Sequence, residues 1–413
     1  MKLILIAAVI CLCLSAAAVA ASRDAGGINR FGFRVLAEMD EGKNLMISPV
    51  SLEMALGSLQ GAAAAGEKQK IAGVLGMGET ALNALNKKLL EETSELKNID
   101  LEIANSLWLD RPLAPSPLYR KYIERYYRSQ VENLDFADAA AAARRINDWC
   151  SDKTRGMVPS PVSPTQLTGS SLVLVNAVYF KAMWTDPFKF QDTYKEVFHP
   201  YDKPDYQVWM MHRSGHMRVY RDDSCCAVSL PYADGEFAMD IVAPSDRKVM
   251  KEYLAGLKES GRSPFFDEDF GSEELVELSM PVFEAESSVN LTELLKRCGI
   301  PMSGYTRMLT AGKPVDISEV LQSVKVKADE KGTEAAAVTT VTMGLIAMNV
   351  MPVEIDRPFI FTIYDTKKGT VYFAGVIYTP DEAVGKRKAP GSPAAGGKDG
   401  DGPELLVAPP LGM

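Results

Sequence analysis

Histidine is scarce in this chain. Its 413 residues include three, His199, His212 and His216, all in one short stretch beside Trp209, Met210 and Met211. His212 and His216 stand four apart, which suits a metal ion on a helix, yet Tyr206–Met210 and Met217–Tyr220 alternate like strands around a turn at Ser214-Gly215. They are read as polar residues near that turn, and no metal site is expected. The motifs of common enzymes are missing as well: no Gly-x-Ser-x-Gly elbow, no His-Glu-x-x-His zinc helix and no phosphate-cradling glycine loop. No serine is nominated as a nucleophile, so neither an enzyme nor a cofactor is expected.

Basic residues are in deficit, 45 against 54 acidic ones for a formal charge of −9, which argues against a nucleic-acid surface or a polybasic membrane patch. The stretch Glu79–Glu95 holds Lys87 and Lys88 but no basic stripe, so heparin-type activation is not expected. Of six cysteines, Cys11 and Cys13 fall in the leader described next, leaving Cys150, Cys225, Cys226 and Cys298. That is too few for a disulfide-built scaffold. Cys225 and Cys226 would point to opposite faces of a strand and lack a Cys-x-x-Cys context, so buried thiols are expected.

No apolar run is long enough to span a bilayer. Lys2, the run Leu3–Leu14 and the small residues Ala16–Ala21, with Ala18-Val19-Ala20, have the three zones of a secretory signal peptide cut after Ala20 or Ala21. Residues 1–20 are therefore read as a leader and the product as soluble, secreted and extracellular. After Pro380 the composition turns to Gly, Pro, Ala and Lys, so 381–413 is expected to be a disordered tail.

Between these, 21–380 reads as one α+β domain with large, mostly antiparallel sheets. Helical periodicity marks Asn29–Met39, Ala81–Leu96, Ala139–Asp152, Lys248–Glu259 and Leu291–Cys298; Ser48-Pro49-Val50-Ser51 opens a further apolar helix through Gly57, with Ser48 or Ser51 as its cap. Strands are expected at Leu101–Leu109, Leu172–Phe180, Ala227–Leu230, Phe237–Val242 and Leu275–Met280.

The most informative stretch runs from Glu330 to Pro352. Taken with a period of two, Thr333, Ala335, Ala337, Thr339, Val341 and Met343 form a small or apolar face without charge, fit to be buried. Glu334, Ala336, Val338, Thr340 and Thr342 fall on the other face, and no proline interrupts before Pro352. Gly332 gives the start of the stretch conformational freedom.

Glu330-Lys331-Gly332-Thr333-Glu334-Ala335-Ala336-Ala337 resembles the hinge of inhibitory serpins, and Val353–Phe361 resembles the signature that follows their reactive loop. Asn44–Ser51, Ile146–Trp149 with Thr154-Arg155-Gly156, Asn176–Trp184 and Phe373–Val376 match further family motifs in family order. The resemblance implies the serpin fold, with about eight or nine helices and an exposed reactive-centre loop at 332–352. It implies a kinetically trapped native state and an inhibitor whose cut loop enters the main sheet while the protease is held as an acyl complex.

Family loop length places the cleaved bond at Ile346-Ala347, with Leu345-Ile346 and Ala347-Met348 as neighbours that stay open. With no Lys or Arg between Gly332 and Ile355, elastase-, chymotrypsin- or subtilisin-like enzymes are the expected targets rather than trypsin. The expected partner is a serine protease, with a cysteine protease as a variant, and the inhibitor is expected to be a monomer. Ser48, Ser51 and Asn176 resemble the polar cluster under the sheet-opening region, and Trp184 the aromatic above it. Two positions depart from the family: Gln322 where a histidine is common, and Val282 where a lysine often pairs with the hinge glutamate, here Glu330. Asn290-Leu291-Thr292 is a glycosylation sequon. The alternatives are a non-inhibitory serpin acting as carrier, storage protein or chaperone, and more remotely a hydrolase using a histidine.

Overall fold

The computed structural model describes residues 26–158, 160–233, 235–333, 350–382 and 384. The expected leader, the tail beyond residue 384, and residues 334–349 lie outside them. So do Glu334, Ala335, Ala336, Ala337 and the bait positions Leu345, Ile346, Ala347 and Met348.

Helix α1 covers 26–39. It is followed by α2 (Pro49–Ala62), α3 (Ala65–Leu75), α4 (Glu79–Thr93), α5 (Pro117–Tyr127), α6 (Ala139–Lys153), α7 (Pro164–Leu167), α8 (Arg247–Ser260) and α9 (Thr292–Arg297). The strands are β1 (Leu45–Ile47), β2 (Ile99–Asp110), β3 (Gln130–Leu134), β4 (Leu172–Met183), β5 (Thr193–Phe198), β6 (Tyr206–Arg221), β7 (Cys225–Tyr232), β8 (Phe237–Pro244), β9 (Ser272–Pro281), β10 (Phe283–Asn290), β11 (Glu319–Asp329), β12 (Gly332–Thr333), β13 (Met351–Glu354), β14 (Phe359–Asp365) and β15 (Val371–Ile377). No described helix is long and apolar enough to cross a membrane.

One sheet of six strands runs β10-β11-β12-β4-β2-β3, and one of nine runs β1-β15-β14-β8-β7-β6-β9-β13 with β5 paired to β6. Between the sheets, Val178, Phe180 and Ala182 of β4 and Val324, Val326 and Ala328 of β11 pack against Met211, Met239 and Phe361. On the opposite face of β4, Val173, Val175 and Ala177 meet Ile146 and Trp149 of α6. Because both of its faces are covered, β4 reads in sequence as a nearly unbroken apolar run.

Helix α2 is buried on every side, which explains why its sequence shows apolar and small residues all round rather than a stripe. Ser48 caps it, its side chain accepting from the Ser51 amide at 3.4 Å, and Pro49 occupies the first turn, where its missing N–H costs no helical bond.

The expected turn at Ser214-Gly215 is corrected. β6 passes straight through it as a 16-residue strand, because β9 pairs with it continuously from Met210 to Val219 and Ser214 stands opposite Glu277. Flanking partners change along the strand, β5 on its first half and β7 on its last residues, and this breaks the simple alternation that a single-faced strand would show.

Candidate functional site

β11 and β4 run parallel and pair directly from Glu319↔Val173 to Val324↔Val178. Beyond that point another element stands between them. β12 fills the end of the gap, with Thr333 opposite Ala328 and Ala182, and Gly332 opposite Asp329 and Met183, antiparallel to both neighbours. A strand antiparallel to each side of a parallel pair replaces slanted ladder bonds with the straighter antiparallel kind. The loop expected to be exposed departs from that expectation at its start, where Gly332 and Thr333 are buried in the sheet; at its other end Met351 and Pro352 are exposed while opening β13, parallel to β9.

Gly332 is required where it stands. Its φ is +141°, and a Cβ there would meet the Ala182 carbonyl oxygen at 2.2 Å. Thr333 has no exposed surface, and its hydroxyl lies 2.9 Å from that of Tyr232. Burial drives the Tyr232 phenol far above its ordinary range, with the Thr333 contact opposing, so the group stays protonated.

Trp184 stacks on Tyr232 at 4.4 Å, its rings 14° from parallel. Its indole Nε1 donates to the Asp329 carbonyl at 2.8 Å, and its backbone N–H donates to the Lys331 carbonyl at 2.9 Å. The Phe188 amide donates to the Glu330 carbonyl at 2.7 Å. The structure thus brings together Glu330, Gly332, Thr333 and Trp184. Val282 is buried among core residues, its amide donating to the Trp209 carbonyl at 2.8 Å, a place that suits the aliphatic side chain found there.

Lower in the same seam, Gln322 of β11 stands opposite Asn176 of β4. Gln322 Nε2 donates to Asn176 Oδ1 at 3.0 Å and to Ser51 Oγ and the Ser48 carbonyl at 3.1 Å each, while its Oε1 accepts from the Ser48 amide at 3.0 Å. Ser51 Oγ donates to Asn176 Oδ1 at 2.6 Å. Ser48, Ser51, Asn176 and Gln322, all named from the sequence, form one buried network joining α2 to both sides of the seam. A member not singled out is Asn105 of β2, whose Oδ1 accepts from Asn176 Nδ2 at 2.8 Å. Its signal was a buried-looking amide in the run Ile103-Ala104-Asn105-Ser106-Leu107.

The other candidates lie elsewhere. His212 contacts Glu196 Oε2 at 3.0 Å and the Asp192 carbonyl at 2.9 Å, stacked on Tyr194. Among the described residues no group of three or more His, Cys, Asp or Glu is placed to hold a metal. Cys150, Cys225, Cys226 and Cys298 are free thiols. Burial pushes Cys150 and Cys226 up to about 12 and Cys225 to about 11, the opposite of an activated nucleophile. Asn290 is exposed at the end of β10, its Oδ1 accepting from the Thr292 amide at 3.0 Å.

The sequence profile described as "Serpin (serine protease inhibitor)" matches residues 27–380. With the split sheet and its polar seam, this shows that the chain belongs to the serpin family. It is 31% identical to an uncharacterized serpin-like protein of Thermococcus kodakarensis, covering 86% of this chain and 85% of that one. Identity to the mouse glia-derived nexin is 29%, over 82% and 88%. Among solved structures, native protease nexin-1 with heparin aligns with a TM-score of 0.77 at 25% identity, covering 88% of this chain and all of that one. Human thyroxine-binding globulin complexed with thyroxine aligns at 0.77 and 23% identity, with the same coverage. These likenesses establish the fold, and the last shows that a protein of this fold can be a thyroxine-binding globulin.

Proposed function

We propose that the chain is a secreted inhibitor of serine proteases that acts as a suicide substrate. The observation that carries this reading is the split between β4 and β11, with Gly332 and Thr333 already in antiparallel register with both. A protease serine attacks the carbonyl of Ile346, or of Leu345 or Ala347 in the neighbouring registers. This forms an acyl ester and releases the new amine of the following residue, at latest Met348. The freed strand then extends β12 down the gap, carrying the esterified protease with it.

Carrying the register forward sets the partners in the cleaved product. Glu334 would face Lys181 and Lys327, and Thr339 would face Asn176 and Gln322, replacing their mutual bond with a hydroxyl. Small residues at Ala335, Ala336 and Ala337 cross the intervening stretch without clash or buried charge. In this reading Glu330, Gly332 and Thr333 act as the hinge, and Ser48, Ser51, Asn176, Gln322 and Trp184 control opening. The protein works as a monomer without cofactor, metal or heparin, and Asn290 is the glycosylation site.

The test is incubation with elastase-, chymotrypsin-, subtilisin- and trypsin-like proteases, followed by denaturing gels. Complexes that survive denaturation with the first three classes are expected, formed more slowly or not at all with trypsin. Simple cleavage without a complex would instead favour a carrier or storage role like that of a non-inhibitory relative.

A further inference from the structure

We propose that Arg213 is a positioning residue that seats the hinge through Phe188. The consequence for trapping rests on the function proposed above; the geometry does not. Arg213 lies on β6 opposite Leu278, its side chain 12% exposed. The guanidinium stands 5.6 Å from the centre of the Phe188 ring, and its Nη1 donates to the Asp186 carbonyl. The Asp186 carboxylate is 3.6 Å away but 71% exposed, and the buried Nε of Arg213 has no partner among the described residues. Burial lowers the arginine's pKa, opposed by Asp186.

A cation in such surroundings is held at a cost in stability, so what it fixes matters. Both of its contacts fall on the segment between Trp184 and Phe188. That segment presents two backbone donors to the hinge, Trp184 N–H to Lys331 and Phe188 N–H to Glu330. Phe188 is buried and meets Trp184 edge-on at 6.5 Å. The chain of contact therefore runs from β6 through Arg213 to Phe188 and the turn that delivers Gly332 and Thr333 into the gap. Arg213 holds those donors at the height where β12 is seated, so the first step of insertion is complete before any cut. Without it the seated pair retreats, insertion starts later, and more acyl-enzyme is hydrolysed before it is trapped.

The test compares Arg213→Met, which keeps an apolar stem, with Arg213→Lys, which keeps the charge, in the full chain. Amide hydrogen exchange reads hinge seating directly, and the moles of inhibitor consumed per protease read its consequence. In Arg213→Met the Trp184 and Phe188 amides should exchange roughly tenfold faster, while the Val173–Val178 amides keep their rate. Arg213→Lys should show a smaller acceleration confined to the same two amides. Inhibitor consumed per protease should rise in the order wild type, Lys, Met, with the rate of loop attack unchanged. Unchanged exchange at Trp184 and Phe188, or an equal acceleration throughout β4, would overturn the assignment. Should Arg213→Met fail to fold, the same two outcomes in Arg213→Lys decide. A wild type that forms no covalent complex would refute the trapping mechanism and leave the exchange result to judge Arg213 alone.

Discussion

The hydroxyl of Thr333 lies 2.9 Å from the hydroxyl of Tyr232, in a place with no exposed surface. Tyr232 belongs to the nine-stranded sheet and Thr333 to the six-stranded one, so this contact ties the start of the loop to the core between them.

Replacing Thr333 with Arg should turn an inhibitor into a substrate. The charge would have to sit beneath the sheet against Tyr232 and Trp184, at a cost on the order of several kcal/mol. β12 would then leave the gap, and the acyl ester to the protease would be hydrolysed before the cut loop inserts. The expected gel shows cleaved chain without covalent complex, and a cut form no more heat-resistant than the intact one. Thr333→Val leaves the buried Tyr232 hydroxyl without this bond, at a cost of about 1–3 kcal/mol, and should keep most inhibition. Stoichiometric trapping by Thr333→Arg would contradict the insertion mechanism.

The Gln322 amide, with two N–H donors and an acceptor oxygen, bonds Ser48, Ser51 and Asn176 together, whereas a neutral imidazole offers one donor and one acceptor. Gln322→Ala removes its bonds to Ser48, Ser51 and Asn176 and leaves buried groups unpaired, at a cost of about 1–3 kcal/mol per group. All of that cost falls on the closed seam. The variant should melt at a lower temperature and convert faster to a loop-inserted, inactive form on native gels. Gln322→His should recover much of the wild-type lifetime. Equal lifetimes for wild type and Gln322→Ala would show that the seam does not limit opening.

The parts of this molecule that were legible in the sequence are those whose environment is uniform along their length. β8 is buried from end to end and β4 from Leu172 to Phe180, and α4, α6 and α8 each carry an apolar stripe, so composition and period reported them within a few residues. β6 changes neighbours twice and passes through Ser214-Gly215, so its pattern resembled two strands and a turn. β3 and β13 are short edge strands, whose few residues give no period to detect. The seam residues Ser48, Ser51, Asn176 and Gln322 were found through their resemblance to family motifs. Asn105 and Arg213 lay outside those motifs, and their roles depend on which strand lies beside them, a register that no local pattern encodes.

Glu53 yields a pH prediction with a definite sign. It lies on the buried helix α2, two residues past Ser51, with no exposed surface. Its Oε1 accepts from Asn86 Nδ2 of α4 at 3.0 Å, while Oε2 has no partner among the described residues. Burial raises its pKa from the ordinary 4.5 to about 8, with the Asn86 bond opposing, and the titratable group interacting with it from α5 is Tyr127. Between these values the folded chain keeps a proton that the unfolded chain has lost. Its contribution to stability is therefore fully present below pH 4.5 and shrinks as pH rises through 8, by up to about 1.4 kcal/mol per pH unit. Glu53→Gln keeps the acceptor for Asn86 and removes the titration. Thermal midpoints of the two proteins should coincide below pH 4.5 and separate progressively toward pH 8, with the variant the more stable. Asp240, raised by burial to about 6, adds an acid-side slope to both chains and cancels in the difference. Parallel curves across that range would mean that Glu53 is ionised in the fold and that its buried carboxylate is stabilised by something other than Asn86.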